Sequence, residues 1–316
     1  MYKRQIAYSL AVSEIAIGDP AVAVTMCVNN MVCEVIQQFG TDAQKQTHVV
    51  ALQSGDYVAG SFCLSEPGAG SDPQGMSTRA VKTANGWTIS GSKAWITSGT
   101  HAGVFLVWAK TDDSISVFLV DPKTPGISVG KPEQKMGQHA SDTVAVSFDN
   151  VEISDDALLG EIGMGFKIAM MALDGGRIGI ASQAVGIATA ALECARLYAT
   201  ERHQFGKPLT GFQAIQFKLA DMAAKIEGAK LLTHRAAWLK ENGKRFTREA
   251  SIAKLVASEM ACEVCDEAIQ IHGGYGYTHE YFVEKLYRDA RVTRIYEGTS
   301  EIQRIVISRD VIKNGL

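Results

Sequence analysis

The sequence predicts an α+β protein with a helical N-terminal part, a middle antiparallel β-barrel or sandwich, and a C-terminal four-helix bundle. Three observations carry this. Apolar residues recur every three or four positions over residues 5–38, short runs alternate with polar residues from about 57 to 151, and long amphipathic stripes return from 163 onward. The boundaries implied are 1–57, 58–160 and 161–316.

Gly18-Asp19-Pro20 breaks the first stripe into two helices. Gly40-Thr41-Asp42 ends the second and caps a short helix over 46–52. Strands are expected at 60–64, 78–81, 86–89, 104–109, 116–120, 127–129 and 143–151, with turns such as Asn85-Gly86, Asp112-Asp113 and Asp121-Pro122 between them. Helices follow over 165–200, 212–242, 246–271 and 301–314, the first rich in Ala and Gly, which permits close helix approach.

Composition narrows the function. A chain of 316 residues, 46% hydrophobic and 21% charged, is globular and long enough for several cores. Its net charge of −3 is spread in small mixed groups, which argues against nucleic acid or an anionic membrane surface as a partner. Glu14 and Asp19 interrupt the first apolar stretch and no small-residue cleavage site follows, so neither a secretion signal nor a membrane span is expected. The six scattered cysteines suit a reducing compartment. Cys262-x-x-Cys265 has no second pair at zinc spacing and reads as two buried thiols, so no metal site is expected.

Near the C-terminus, Glu297 sits in a polar loop ahead of the last helix. Ser300 and Gln303 have capping-box spacing, which makes Ser300 the expected N-cap and starts the helix at about Glu301. Gly298 lets backbone N–H groups approach whatever lies beside the carboxylate. The local pattern fits a base facing a substrate and fits an ordinary solvated acid.

Other segments are similarly two-sided. The loop at 65–73 resembles a dinucleotide fingerprint only superficially, because Pro73 stands where the third glycine belongs and no helix opens there. It suits backbone N–H presentation to an aromatic cofactor or an anion, and equally a plain connection. Trp95 and Thr97 lie on a strand pattern, where a core ring with a structural hydroxyl is the ordinary reading. Gly175 and Gly176, between Asp174 and Arg177, cost about 1 kcal/mol each relative to Ala in mid-helix, which points to close approach of something to the backbone. Residues 202–208 are a cationic helix exit and residues 270–277 a glycine-rich aromatic one.

Together and in this order these segments resemble the acyl-CoA dehydrogenase family over about residues 7–309. The matches are L-S-E-P-G-A-G-S-D at 64–72, K-A-W-I-T at 93–97, G-F-K-I-A-M at 165–170, L-D-G-G-R at 173–177 and R-H-Q-F-G-K-P at 202–208. F-Q at 212–213, L-A-D-M at 219–222, Q-I-H-G-G-Y-G at 270–276 and I-Y-E-G-T-S-E-I-Q-R at 295–304 complete the set. The resemblance implies the three-part fold of that family and a homotetramer built as a dimer of dimers.

It also implies FAD. Phe62, Leu64, Ser65, Gly70 and Ser71 match the loop that holds the flavin through its backbone. Trp95 and Ile96 match the segment packed on it, with the Thr97 hydroxyl facing its N5. Arg202 and Phe205 fall at the pyrophosphate, Gln213, Gln270, Gly273 and Gly274 come from a neighbouring subunit, and Thr299 and Glu301 reach the adenosine side. Ser71, Asp174, Arg177, Tyr296 and Gly298 match the acyl-CoA binding positions. Glu297 matches the catalytic base, and Gly176 leaves vacant the helix position that supplies the base in isovaleryl and long-chain members.

The expected reaction is FAD-dependent α,β-dehydrogenation of an acyl-CoA to its trans-2-enoyl-CoA, with electrons passed to an electron-transfer flavoprotein. Residues 27–30 and 175–181 resemble the short-chain, butyryl-type branch, and the lack of Lys or Arg over 20–44 argues against a dicarboxylic substrate. The rival readings are an oxidase of the same fold that reduces dioxygen and a catalytically impaired scaffold, since the family carries roughly sixty further residues ahead of the helix that begins near Ile6. The compartment expected is the cytoplasm in a bacterium or the mitochondrial matrix in a eukaryote.

Overall fold

A computed structural model describes residues 4–315. Helices α1 (Gln5–Gly18) and α2 (Pro20–Phe39) part at Asp19, whose carboxylate accepts the Ala21 N–H at 2.7 Å while its own N–H donates to Ile15. Thr41 caps as expected, and does so through a reciprocal capping box with Gln44; the helical segment opens at Asp42, earlier than expected, as α3 (Asp42–Gln44), a π turn (Lys45–Val49) and α4 (Val50–Ser54).

The strands are β1 (Ala59–Cys63), β2 (Arg79–Thr83), β3 (Gly86–Thr97), β4 (Ala102–Thr111), β5 (Ser114–Val120), β6 (Ile127–Val129), β7 (Thr143–Ile153) and β8 (Leu158–Leu159). Helices α5 (Gly165–Glu201), α6 (Gln213–Glu241), α7 (Thr247–His272), α8 (Val283–Arg291) and α9 (Ser300–Asn314) follow, with a short hairpin of β9 (His203–Gln204) and β10 (Lys207–Pro208) after α5. Contacts group these elements into two units.

The β unit comprises Thr25–Gln134 and Ala140–Leu173. Its sheet runs β6-β7-β3-β2-β4-β5-β8, with β1 on β4. The expected antiparallel pairing holds for β2-β3, β3-β7, β4-β5, β5-β8 and β6-β7 and is corrected at β4, with which β1 and β2 both pair in parallel. A hairpin pattern read along the chain cannot reveal a pairing between strands forty residues apart, which is decided by the tertiary path. β4 is buried on both faces. Val104, Leu106 and Trp108 meet Met31, Val32 and Ile36 of α2 and Ile168 of α5, whereas Phe105, Val107 and Ala109 face Ile89, Phe118 and Val146. The Trp108 indole N–H donates to the Gly165 carbonyl at 2.8 Å, fixing the start of α5.

The helical unit comprises the residues up to Val24, Lys135–His139 and the chain from Asp174. Alanines 250, 253, 257, 261 and 268 make α7 slender, and α6, α8 and α9 pack around it. The small-residue pattern of α5 serves the expected close approach, since a Cβ on Gly186 would stand 2.3 Å from the Ser13 carbonyl of α1. Helix α8 is additional to the sequence reading. Its spacing of Val283, Leu286 and Ala290, all buried, is helical but spans only nine residues and is diluted by five charges. Helices α2 and α5 are long and apolar enough to cross a membrane, and 56% and 78% of their most apolar windows are buried inside the protein, as core helices require.

Candidate active site

Glu297 occupies the turn between α8 and α9 in a left-handed conformation, φ 54°, followed by Gly298 at φ 86°. Two successive left-handed residues need an external hold, and at the second the positive φ favours glycine, which carries no Cβ to strain it. Gln303 Nε2 donates to the Gly298 carbonyl at 2.8 Å and the Glu297 carbonyl at 3.2 Å. Lys254 Nζ, from α7, also donates to the Gly298 carbonyl at 2.7 Å.

The cap differs from expectation by one residue. Thr299, not Ser300, has the extended N-cap backbone, and its hydroxyl accepts the Ile302 N–H at 3.3 Å. Gln303 is thereby free to reach back to the loop carbonyls instead of closing a capping box on Ser300.

One oxygen of the Glu297 carboxyl is withdrawn from solvent although the residue as a whole is half-buried. That oxygen, Oε2, is buried without a hydrogen-bond partner. Burial pushes the carboxyl up to about 7, against the opposing pull of Arg177 and Lys254. Arg177 on α5 is only 3% exposed, and its Nη1 lies 2.6 Å from Asp174 and 3.2 Å from the Ser251 hydroxyl. Asp174 also accepts from the Thr247 hydroxyl at 2.6 Å. Asp174, Arg177, Lys254 and Glu297 thus form one charged cluster beside the Gly298 carbonyl, in which Arg177 acts on Glu297 through its field. The Tyr296 hydroxyl donates to Gln183 and accepts from Gln138 Nε2 at 3.2 Å, anchoring the preceding residue of the turn.

A second group in the helical unit lies where α7 ends. Gly273 turns left-handed at φ 60°, and Arg202, Gly273, Gly274 and Tyr275 line an open cleft of about 480 Å³ with Tyr198 and His272. The Arg202 guanidinium stands 5.6 Å from the Tyr275 ring centroid. Gln213 and Gln270 are exposed at the start of α6 and the last turn of α7, Phe205 is 93% exposed, and Glu301 is exposed in the first turn of α9.

In the β unit, the strand reading of Trp95 as a core ring is overturned. The pairing of β3 with β7 slips between Lys93 and Ile96, and in this bulge Trp95 takes φ 62° and leaves its ring 65% exposed. Ile96 turns inward at 1% exposure and pairs with Val144 of β7. The Thr97 carbonyl accepts from the Ser61 hydroxyl at 2.8 Å. Phe62 stacks obliquely on Trp108 at 4.2 Å between centroids, while Gly70 and Ser71 are exposed in the loop leaving β1.

That loop is held from beneath by Glu66, which is 4% exposed. Its carboxylate accepts from the Ser77 N–H at 2.6 Å, the Ser77 hydroxyl at 2.7 Å, the Thr78 N–H at 3.0 Å and Lys93 Nζ at 2.8 Å. Lys93 also donates to the Leu64 carbonyl at 3.1 Å, and the Ala94 N–H to the Ser65 carbonyl at 2.9 Å. Sequence reading singled out neither Glu66 nor Lys254. The available signal for Lys254 was a cation on the apolar stripe of α7, one turn from Ala250 and Ala257.

Three family profiles cover the chain in order: the acyl-CoA dehydrogenase N-terminal domain at residues 3–56, middle domain at 61–151 and C-terminal domain at 163–312. The chain belongs to the acyl-CoA dehydrogenase family. Within it, the chain is 53% identical over 315 residues to the mitochondrial short-chain specific acyl-CoA dehydrogenase of Bos taurus, covering 98% of this chain and 76% of that protein. It is 50% identical to the short-chain specific acyl-CoA dehydrogenase of Megasphaera elsdenii, covering 95% and 80%. The structure of butyryl-CoA dehydrogenase from Megasphaera elsdenii superposes with a TM-score of 0.95 at 48% identity, covering 96% of this chain and 81% of that one.

Proposed function

We propose that this enzyme desaturates a short straight-chain acyl-CoA between its α and β carbons, with Glu297 as the base that removes the α proton. The observation that carries the reading is the buried, unpartnered Oε2 of Glu297 on a carboxyl held at about 7. A base near neutrality is ionised in half or more of the molecules at working pH and still holds the proton it takes. The Glu297 backbone N–H is offered to the thioester carbonyl, where a donor to developing negative charge contributes roughly 3 kcal/mol. Resemblance to short-chain and butyryl-CoA relatives supports the chain length.

The residues present fit FAD. Trp95 offers a large ring that a purely structural role would have buried, the loop at Gly70 has open space beside its backbone, and Arg202 stands beside a left-handed glycine turn suited to an anion. Trp95, Thr97 and the backbone of Leu64, Ser65 and Ser71 would hold the isoalloxazine and Arg202 the pyrophosphate, with Gln213, Gln270, Gly273 and Gly274 contributed by a neighbouring subunit. When bound, FAD supplies the acceptor for the β hydride. An electron-transfer flavoprotein then removes the electrons, and the working assembly is a homotetramer.

Anaerobic mixing of the FAD-loaded enzyme with butyryl-CoA tests the reading. Glu297→Gln is expected to slow flavin bleaching by at least 10³-fold, and bleaching at the parent rate would overturn the assignment. Turnover of palmitoyl-CoA equal to or faster than that of butyryl-CoA would overturn the chain length.

A further inference from the structure

Lys254 is fully buried on α7 and donates to a carbonyl that already has a donor in Gln303. Backbone satisfaction alone therefore does not call for it. Burying an ammonium among alanines is costly unless its charge is used, and a methionine would fill the same stripe without that cost. Burial indeed pulls the Lys254 ammonium down to about 8.

The other charges around it are already engaged. From α5, Arg177 is paired with Asp174 at 2.6 Å, and Asp174 is also acted on by Lys240 of α6 and by Arg245. On α7 itself, Glu259 is paired with Arg294 at 2.8 Å and faces Arg304 of α9 at 3.8 Å. Glu301 of α9 is exposed and faces Arg304 at 3.9 Å. Among the described residues, this leaves the carboxylate of Glu297 as the buried anion that answers the Lys254 charge.

We propose that Lys254 is a positioning residue for Glu297: its ammonium clamps the Gly298 carbonyl, holding the left-handed turn, and brings a positive charge to the neighbourhood of the carboxylate. This rests on the reading of Glu297 as the base. The clamp and the charge have one origin, so the residue that orients the carboxylate also keeps it ionised near neutral pH. Without the charge, burial acts on Glu297 opposed by Arg177 alone, and the carboxyl moves further up.

The test is a titration of the Glu297 carboxyl in the FAD-loaded enzyme by infrared difference spectroscopy, the band being identified by its loss in Glu297→Gln. Lys254→Gln keeps an N–H donor and removes the charge, and Lys254→Met removes both. Both variants are expected to raise the Glu297 midpoint by about one pH unit or more, and to move the acid limb of the flavin-bleaching rate by the same amount. Lys254→Arg is expected to bring both back toward the parent. An unmoved midpoint in Lys254→Gln overturns the proposal, and that variant decides the matter if Lys254→Met does not fold. Bleaching that survives Glu297→Gln would instead overturn the base assignment, while the carboxyl titration still reports on Lys254.

Discussion

The ammonium of Lys93 lies 2.8 Å from the carboxylate of Glu66, and both side chains are sealed from solvent, at 0% and 3% exposure. Burial pushes Glu66 up, but Lys93, Thr78 and Ser77 outweigh it and hold the carboxyl at about 2. Burial draws the Lys93 ammonium down, opposed by Glu66. Removing one partner leaves an uncompensated buried charge, so Lys93→Met is expected to lose roughly 3–5 kcal/mol in urea unfolding. The pH dependence has a definite sign. With the folded value below the ordinary 4.5, the stabilisation is complete above 4.5 and is lost as pH falls toward 2. A parent enzyme whose unfolding midpoint stays flat across that window would refute this.

Glu297 has the opposite sign. Its folded value of about 7 exceeds the ordinary 4.5, so its contribution is full below 4.5 and is lost as pH rises through 7. Glu297→Gln, neutral at every pH, is expected to be more stable than the parent at pH 8, by about 1–3 kcal/mol. The difference is expected to vanish near pH 4. Calorimetric scans at the two pH values measure it, and a variant less stable than its parent at pH 8 would contradict the buried-carboxylate argument.

Trp95 combines a left-handed backbone with an exposed ring. Trp95→Gly therefore removes backbone strain of about 1 kcal/mol while giving up little packing. The FAD-free protein is expected to keep or raise its Tm, whereas FAD affinity, followed by fluorescence titration, falls roughly three- to tenfold. Unchanged FAD affinity would assign the ring some other role.

At the last helix, Thr299 is the cap and Ser300 Oγ is buried without a partner. Thr299→Ala is expected to cost about 1 kcal/mol. Ser300→Ala is expected to be neutral or slightly stabilising, because it deletes an unsatisfied buried hydroxyl. Chemical denaturation of the two single variants distinguishes this cap from the alternative one residue later.

Much of the fold is legible along the chain because helices and strands announce themselves by local periodicity. The break at Asp19, the cap at Thr41, and helices α5, α6, α7 and α9 follow from spacing within a few residues. The motif order over 64–304 likewise carries the family, since a motif is a property of the sequence itself. What escapes has a common cause. Helix α8 is short and charged, so its three buried apolar residues become meaningful only once α7 is beside them. The parallel pairing of β1 with β4 joins distant segments. Trp95 sits on a strand pattern, yet the slipped pairing with β7 turns it out of the core.

The same division runs through the site. From sequence, Glu297 is a carboxylate before a helix, read locally as an ordinary solvated acid ahead of a base, and the matching motifs reverse that order. The chain alone determined which residue types stand in the loop and their order. Only the tertiary structure decided that Oε2 is buried, that Gln303 and Lys254 hold the left-handed turn from separate helices, and that Arg177, paired with Asp174, also pulls on Glu297. Burial and electrostatic pairing depend on what packs across from a residue, and that neighbour lies tens of positions away in the chain.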